Sequence, residues 1–470
     1  MGTHHAIDPD LLRRYDRPGP RYTSYPTAPQ FSSAFGEGEL REAAQASNGD
    51  PIPRRLSLYV HVPFCQSPCF YCGCNRVITR DHGRSEGYLA RLYREIDLAS
   101  QLFDRDREVI QLHFGGGTPN FLTPAQLREV VECLRSHFHF SDDASRDISI
   151  ELDPRFVTPA DVAELGRIGF NRASLGVQDF DPAVQQAVNR IQSVEETLAI
   201  IDACRANGFK SVNVDLIYGL PKQTAEGFAR TLDTVVAARP DRLAVYSYAH
   251  LPELFKAQGQ INAEDLPSAA EKLGLLQLAI EKLTAAGYVY IGMDHFALPD
   301  DDLATAQQRG GLHRNFMGYT THADTDLVGL GVSAISHIGA SFSQNPRDLP
   351  SWQIALDEGR LPVFRGMRLT EDDQLRADLI QRLMCQGEIP IGALERRYLI
   401  DFREYFVDAL ERLQPLVEDG LARIEPDRIV ATSRGRLLLR NMAMCFDHYL
   451  HTPGAARPAD TATPRFSRAI

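Results

Sequence analysis

The sequence lacks the features that would direct it to a membrane, to the cell exterior or to nucleic acid. No apolar run reaches the length of about 20 residues that a membrane-spanning helix needs. Residues 1–17 contain neither the apolar core nor the cleavage site of a secretory signal peptide. Basic side chains are in deficit, with 50 Lys and Arg against 62 Asp and Glu and a formal net charge of −12. We therefore expect a cytoplasmic protein with no membrane partner and no nucleic-acid partner.

Cysteine is sparse except in one loop that follows an apolar, strand-like run. Four of the eight cysteines lie within ten residues, at Cys65, Cys69, Cys72 and Cys74, and the other four are scattered through helical-looking sequence. The first three have the spacing C-x3-C-x2-C. This spacing suits a [4Fe-4S] cluster held by three thiolates, which leaves the fourth iron open to another ligand. The loop therefore predicts a reactive metal centre.

Three alternatives to an iron–sulfur cluster stay open on the cysteine spacing alone. A structural zinc ion is the main one, although such sites usually take two cysteine pairs from separate knuckles. Disulfides are disfavoured because no secretory signal precedes the loop. Chance clustering of buried thiols is the third, and the interleaved aromatic residues Phe64, Phe70 and Tyr71 argue against it because they resemble the wall of a cofactor site.

Strand-like and helix-like segments alternate from about Leu56 to about residue 300, which is typical of repeated βα units. Six or seven units predict an α/β fold, a partial TIM-like (βα)6 barrel. The strand candidates are Leu56–Phe64, Val109–Phe114, Ile148–Leu152, Arg172–Val177, Ser211–Tyr218, Leu243–Ala249 and Tyr288–Met293. Polar or glycine-rich residues lie in or directly after several of these strands. In such barrels the carboxyl ends of the strands carry the active site, so we expect these residues to converge on one cavity.

The barrel is flanked by two segments of different character. Residues 1–50 form a proline-rich lead segment that we expect to be an extended arm, and residues 51–365 hold the barrel with a lid region, Arg309–Ser336, that is too polar for a core. Residues 366–470 predict a mostly helical domain with a hairpin at 421–424 and 428–432 and a final helix at 436–449. Helices with a hairpin resemble a winged helix, but the weak basic charge favours a packing or lid role.

The cysteine loop after the first strand and the GGGTP turn after the second resemble the radical S-adenosylmethionine superfamily. The resemblance extends to the family of oxygen-independent coproporphyrinogen III oxidases and covers essentially the whole chain. The motifs that carry it include PRYTSYPTA, YVHVPFC, CGCN, GGGTPNFL, IELDPR, LGVQDF, VDLIYGLPKQT, HRNFMGYTT and RNMAMCFDHYL.

This resemblance implies a reaction and a set of cofactors. A 5′-deoxyadenosyl radical would take a hydrogen from the β-carbon of two propionates of coproporphyrinogen III, and loss of CO2 would give the vinyl groups of protoporphyrinogen IX. The implied cofactors are a [4Fe-4S] cluster and two S-adenosylmethionine molecules per chain. An electron donor and an electron acceptor, both unidentified, would be partners, and we expect a monomer because no repeat or coiled coil demands an oligomer.

The resemblance also implies site residues. Cys65, Cys69 and Cys72 would hold the cluster, and Cys74 would be a nearby thiol that serves in proton or hydrogen donation. Contacts to the first S-adenosylmethionine would come from Tyr59, Gly116, Glu151 and Ile335. Contacts to the second would come from Tyr71, Gly117, Thr118, Gln178, Arg190, Asp215 and Ala249. The segment Arg21–Tyr25 would be a substrate-contacting arm.

Two other functions compete with this one. A related haem-handling protein without oxidase activity typically lacks the PRYTSYPTA arm and the cysteine at the position of Cys74, and both are present. A zinc-stabilised regulator would use the hairpin of the last domain on DNA.

Overall fold

The computed structural model describes Leu11 and residues 14–451, which form two compact units. The barrel unit comprises residues 31–267 and 324–368. The helical unit comprises the described parts of residues 1–30, 268–323 and 369–470. Residues 268–323, which fall in the predicted middle segment, thus cluster with the helical unit. The three segments 1–50, 51–365 and 366–470 stay a prediction.

The barrel unit is built on a parallel sheet. The six strands β1 to β6 pair in chain order, and a seventh strand, β7, pairs in parallel with the other edge of β1. These strands are β1 (Arg55–Val62), β2 (Glu108–Gly116), β3 (Asp147–Leu152), β4 (Arg172–Gln178), β5 (Ser211–Tyr218), β6 (Arg242–Ser247) and β7 (Thr325–Leu330). The prediction of a (βα)6 fold is confirmed.

Helices follow the first five strands. They span Arg84–Ser100, Pro124–His137, Pro159–Ile168, Pro182–Ala187, Val194–Ala206 and Ala225–Ala238. Their starts are set by local sequence: Thr123 and Thr158 are N-caps with capping boxes, and proline occupies the first helical position after each. Leucine, isoleucine and valine side chains of strands and helices are buried between the two layers. This layering places the carboxyl ends of the strands at one edge of the unit.

The rest of the barrel unit extends the sheet and adds two helices. The antiparallel strands Ile335–Ile338, Ser341–Gln344 and Arg365–Arg368 continue it beyond β7. The short strands Phe64–Cys65 and Val77–Ile78 pair in parallel, and His139–Phe140 pairs with β2. Helices span Glu37–Asn48 and Leu349–Asp357.

Three sequence-based expectations about these segments were wrong. The lead segment is not extended throughout, because no proline follows Pro29 before position 51 and a helix forms at Glu37–Asn48. The lid region contributes to the core after all, because β7 lies within it and all of the residues of β7 are buried. Tyr288–Met293 is not a further parallel βα strand: the predicted strand is present as Val289–Gly292, but it pairs antiparallel with His295–Ala297.

The helical unit packs its helices around a core of its own. The helices are Ala269–Ala285, Asp302–Gln308, Glu371–Gln386, Ile391–Tyr398, Phe402–Tyr405, Val407–Glu418, Leu439–Phe446 and His448–His451. Besides the pair Val289–Gly292 and His295–Ala297, strands His313–Asn315 and Gly318–Thr320 pair, and Glu388–Pro390, Ala422–Ile424 and Arg428–Ala431 form a small sheet. The predicted hairpin at 421–432 is therefore confirmed, whereas the predicted last helix is interrupted at Asp447.

Part of the lead segment lies in the helical unit. Tyr22 and Tyr25 belong to its core, and the Tyr22 hydroxyl donates to Asp447 Oδ2 over 2.9 Å. Arg440 Nε donates to the carbonyl of Pro20 over 3.1 Å, and Arg21 forms an ion pair with Asp294. These contacts hold residues 20–25 in the helical unit. Among the described helices, none combines the length and apolarity that crossing a membrane requires.

Candidate active site

The cysteine loop leaves the carboxyl end of β1 and is closed at its base by backbone pairing. Val77 N–H donates to the carbonyl of Pro63 over 2.7 Å, and Thr79 N–H donates to that of Cys65 over 2.9 Å. Arg76 ties the loop internally, because its guanidinium donates to the carbonyls of Cys72 and Cys69 over 2.9 and 3.2 Å. The loop is therefore held in shape by contacts that leave its sulfur atoms available.

Each of the three predicted ligand sulfurs receives a hydrogen bond. Thr118 Oγ1 donates to Cys65 Sγ over 3.2 Å, and the backbone N–H of Cys74 donates to Cys72 Sγ over 3.4 Å. Arg155 and Arg190 each donate to Cys69 Sγ over 3.5 Å. Hydrogen bonds to sulfur stabilise the thiolate that an iron–sulfur cluster requires. All eight cysteines are free thiols, so the disulfide alternative is not adopted.

The thiols of the loop differ in acidity. The hydrogen bond from the Cys74 thiol lowers the pKa of Cys72 to about 6. Burial raises the pKa of Cys65 to about 11. The Cys72 contact raises the pKa of Cys74 well above its usual value, so that thiol keeps its proton. A donor set of hydrogen-bonded thiols on one loop fits a [4Fe-4S] cluster. Within the described part of the chain, no three His, Cys, Asp or Glu side chains are grouped as ligands of one metal ion.

A pair of arginines bridged by a carboxylate surrounds Cys69. Arg155 binds Asp153 with two hydrogen bonds of 2.9 and 2.7 Å, and Arg190 Nη1 donates to the same carboxylate over 3.0 Å. Burial opposes ionisation of Asp153, but Arg190 and Arg155 hold its pKa below the usual range. Arg190 also donates to the carbonyl of Gly176, and its Nε lacks a hydrogen-bond partner among the described residues. That buried donor is free to meet an anionic ligand.

Strands β1 to β3 bring Tyr59 and Glu151 to one edge of the sheet. Tyr59 is paired in register with His113, and the two rings stack with centroids 5.9 Å apart. Glu151 Oε2 accepts from the backbone N–H of Gly116 over 3.2 Å, and its Oε1 lies 3.3 Å from His113 Nε2. The Glu151 side chain keeps 44% of its surface exposed, which leaves carboxylate lone pairs for a ligand.

The glycines of the GGGTP turn are required by the protein itself. Gly116 has φ +115, and a Cβ there would lie 2.6 Å from the ring of His61. A Cβ at Gly117 would lie 2.7 Å from the carbonyl oxygen of Pro63. Because Gly116 is paired with Val62, the turn packs directly against the start of the cysteine loop. Close packing of the two loops therefore accounts for these glycines without any ligand.

Strands β4 and β5 supply a second group of predicted residues. Asp215 accepts from Ser174 Oγ over 3.0 Å and from Asn213 Nδ2 over 2.8 Å. Burial, followed by the negative charge of Glu151, raises the pKa of Asp215 to about 6. Gln178 ends β4 with φ +68, and both its amide and the Arg190 guanidinium lie within 3.0 Å of a Cβ built on Gly176. Asp215, Gln178 and Arg190 therefore occupy the same edge of the sheet.

The remaining predicted residues lie around these two groups. Gln258 Nε2 donates to the carbonyls of Tyr71 and Ala249 over 2.9 and 3.2 Å, so one side chain joins these two positions. The backbone of Ile335 packs against Gly329, which pairs in register with Tyr59. All of the predicted cluster and S-adenosylmethionine residues therefore belong to the barrel unit, whereas Arg21 of the predicted substrate-contacting arm belongs to the helical unit.

Sequence reasoning missed several residues that shape the site. Arg155 and Asp153 stand in the motif IELDPR, but nothing in the local pattern shows that they reach Cys69. Arg76 follows the loop, and His61 and His113 alternate with apolar residues on β1 and β2. A histidine among the apolar residues of a buried strand is the sequence signal that could have pointed to His61 and His113.

The chain matches two family models and is similar in sequence to known enzymes over nearly its whole length. Residues 59–235 match the model of the radical SAM superfamily, and residues 369–438 match that of the HemN C-terminal domain. The oxygen-independent coproporphyrinogen III oxidase of Pseudomonas aeruginosa is 54% identical over 98% of both chains. The enzyme of that name from Salmonella typhimurium is 50% identical over 94% of this chain and 95% of its own.

A solved structure shows the same likeness in three dimensions. The structure described as coproporphyrinogen III oxidase (HemN) from Escherichia coli, a radical SAM enzyme, has a TM-score of 0.89 and 47% sequence identity. The match covers 94% of this chain and 99% of the other. The likeness therefore includes the flanking segments as well as the sheet.

Proposed function

We propose that this chain, which belongs to the family of oxygen-independent coproporphyrinogen III oxidases, converts two propionates of coproporphyrinogen III to vinyl groups and yields protoporphyrinogen IX. The observation that carries the proposal to this chain is the loop with three free thiols, each hydrogen-bonded, beside the exposed carboxylate of Glu151. The radical SAM match implies a [4Fe-4S] cluster and S-adenosylmethionine as cofactors.

The reaction needs both a radical initiator and an electron acceptor. When bound, the cluster and S-adenosylmethionine supply the one-electron chemistry that removes a hydrogen atom from the β-carbon of the propionate. Each propionate loses CO2, one β-hydrogen atom and one further electron on the way to a vinyl group. An electron donor for the cluster and an acceptor for that last electron are therefore partners of the proposed reaction, and a monomeric state stays a prediction.

The first S-adenosylmethionine is proposed to lie at the ends of β1 to β3. Cys65, Cys69 and Cys72 would each bind one iron of the cluster. S-Adenosylmethionine would then bind the fourth iron, which has no cysteine ligand. The Glu151 carboxylate suits ribose hydroxyls because it retains accessible acceptor lone pairs. Tyr59, Gly116 and Ile335 border the same edge of the sheet through the pairing of β1 with β2 and β7.

A second S-adenosylmethionine is proposed at the ends of β4 and β5. The unpartnered Nε of Arg190 supports binding of a methionine carboxylate there. The other residues of this proposed subsite are Tyr71, Gly117, Thr118, Gln178, Asp215 and Ala249. Anaerobic equilibrium dialysis of the cluster-loaded chain measures the number directly. Two molecules per chain are expected, and a saturation at one contradicts the second subsite.

Cys74 is proposed as a proton donor rather than a cluster ligand. Its residue is exposed and its backbone N–H donates to Cys72 Sγ, so Cys74 lies beside the three proposed ligands without sharing their C-x3-C-x2-C spacing. Cys74→Ser should retain the cluster absorbance of the wild type while turnover slows. Loss of the cluster in that variant would assign Cys74 to the ligands instead.

The reaction itself is tested anaerobically: dithionite first reduces the cluster-loaded chain, and coproporphyrinogen III, S-adenosylmethionine and a one-electron acceptor are then added. The expected product carries two vinyl groups, seen as the loss of two CO2 by mass spectrometry. Haem binding with no vinyl product, despite a full cluster, would favour the haem-handling alternative. About one zinc and no iron after anaerobic purification would favour the zinc-stabilised regulator.

A further inference from the structure

The sulfur atoms of the three proposed cluster ligands receive hydrogen bonds from different kinds of donor. Cys65 receives one hydroxyl donor and Cys72 receives the backbone N–H and the thiol of Cys74, all uncharged, whereas Cys69 receives two charged guanidinium groups, from Arg155 and Arg190. Arg190 is one of the residues proposed to bind S-adenosylmethionine. Arg155 has no assigned role, yet it lies equally close to the sulfur.

The guanidinium of Arg155 is held in one orientation. Its Nε and Nη2 bind both oxygens of Asp153, and its centre lies 5.1 Å from the ring centroid of Phe156. Its side chain is 11% exposed and that of Asp153 is 8% exposed, so water screens the charges weakly. The same Nη2 that binds Asp153 also donates to Cys69 Sγ. A planar, bidentate fork of this kind is preorganised toward the sulfur.

The charges around Cys69 have a net positive sign. Two arginines share one carboxylate, because Arg190 also binds Asp153. Reduction of a cluster adds one negative charge to the iron–sulfur core. Hydrogen bonds to the sulfurs and nearby positive charge stabilise the reduced form, and both raise the reduction potential.

We propose that Arg155 is a positioning residue that raises the reduction potential of the cluster through its hydrogen bond to Cys69, and so makes one-electron reduction by the donor easier. This inference rests on the proposed function, because it requires the cluster. Arg155 is assigned no contact with substrate or S-adenosylmethionine and acts through the ligand sulfur alone. Asp153 fixes Arg155 for that task.

The test is a redox titration of the full-length, cluster-loaded chain, in which the reduced cluster is measured by electron paramagnetic resonance. At the potential where the wild type is half reduced, Arg155→Gln should lower the ratio of reduced to oxidised cluster about tenfold. That change corresponds to about 59 mV for one electron. Arg155→Lys keeps the charge but loses the fork, so its midpoint should lie between the two.

Arg76→Gln is the matched control. Arg76 donates to the carbonyls of Cys72 and Cys69 but to none of the three ligand sulfurs, so its loss removes a nearby charge without a sulfur contact. A much smaller shift is expected. Equal shifts for Arg155→Gln and Arg76→Gln, or an unchanged midpoint in Arg155→Gln, would overturn the proposal.

Two further outcomes separate this inference from the function on which it rests. If Arg155→Gln does not retain its cluster, the redox titration is done on Arg155→Lys instead. A midpoint potential of Arg155→Lys equal to that of the wild type would refute a role for the guanidinium fork. If the wild type itself binds no cluster, the proposed function fails together with the inference. A normal cluster and normal vinyl product with no Arg155 effect refute the inference alone.

Discussion

The carboxylate of Glu151 accepts a hydrogen bond from the backbone N–H of Gly116 over 3.2 Å. This contact joins the end of β3 to the end of β2 and fixes the orientation of a carboxylate that is still partly exposed. Glutamine at this position would keep an acceptor for the Gly116 N–H but remove the charge. This substitution therefore separates the hydrogen bond that Glu151 makes to the backbone from the ligand binding that we propose for its charge.

We expect Glu151→Gln to weaken S-adenosylmethionine binding at least tenfold while the free energy of unfolding changes little. The reason is that a hydrogen bond to a charged acceptor contributes about 1.5–3 kcal/mol, more than one to a neutral amide. Equilibrium dialysis with the loaded chain measures the affinity. Glu132→Gln, on an exposed helix position, is the control and should bind normally. Unchanged affinity in Glu151→Gln would remove this residue from the site.

Gly117→Ala should destabilise the chain by about 1–3 kcal/mol, because its Cβ would meet two backbone carbonyls that cannot move aside. The carbonyls are those of Pro63 and Phe64, so we also expect a distorted cysteine loop and less bound iron. Gly38→Ala is the matched control: Gly38 lies in a helix, and a Cβ there meets nothing within 4 Å. Urea unfolding should show Gly38→Ala as stable as the wild type or more so. Equal stabilities for the two alanine variants would contradict this packing.

The buried Glu95 should make stability depend on pH. It is 2% exposed and accepts hydrogen bonds from Gly331 N–H, Asn345 Nδ2 and Trp352 Nε1, with no cation among its described partners. Burial raises its pKa from the usual 4.5 to about 7. Between these values the folded chain binds a proton that the unfolded chain releases. The contribution of Glu95 to stability is therefore full below about pH 4.5 and is lost as the pH rises through about 7.

Glu95→Gln should remove this contribution. In urea unfolding between about pH 5 and 7, the difference in free energy of unfolding between the wild type and the variant should change by up to about 1.4 kcal/mol per pH unit. Glu132→Gln again serves as the control, with the slope of the wild type. Parallel pH profiles for the wild type and Glu95→Gln would show that Glu95 is not the group that titrates.

Local sequence patterns were enough to predict the sheet and the cysteine loop. Strand alternation and the C-x3-C-x2-C spacing are short-range features, and the predicted cluster and S-adenosylmethionine residues all belong to the barrel unit. The Arg155–Cys69 contact joins positions 86 residues apart, and the Arg190–Cys69 contact joins positions 121 apart. No local pattern encodes such contacts, because they depend on the order of strands in the sheet.

The buried strand β7 was missed for a related reason. It contains Thr325 and Asp326, which made the segment look exposed. In the structure Asp326 is fully buried, and its charge is balanced by Arg107 Nη2 at 2.7 Å with a further hydrogen bond from Gly339 N–H. Buried charges of this kind are tolerated when they are paired. The partners lie far away in sequence, so the pairing became visible only in the fold.

The proposed oxidative decarboxylation depends on an iron–sulfur cluster held by the cysteine loop. The most direct test compares the wild type with Cys69→Ser in one anaerobic assay that records both the cluster absorbance and the vinyl product from coproporphyrinogen III. We expect the wild type to show both and Cys69→Ser to lose both, because a cluster with two protein ligands is labile. Full vinyl production by Cys69→Ser would contradict the assignment of the loop as the cluster site.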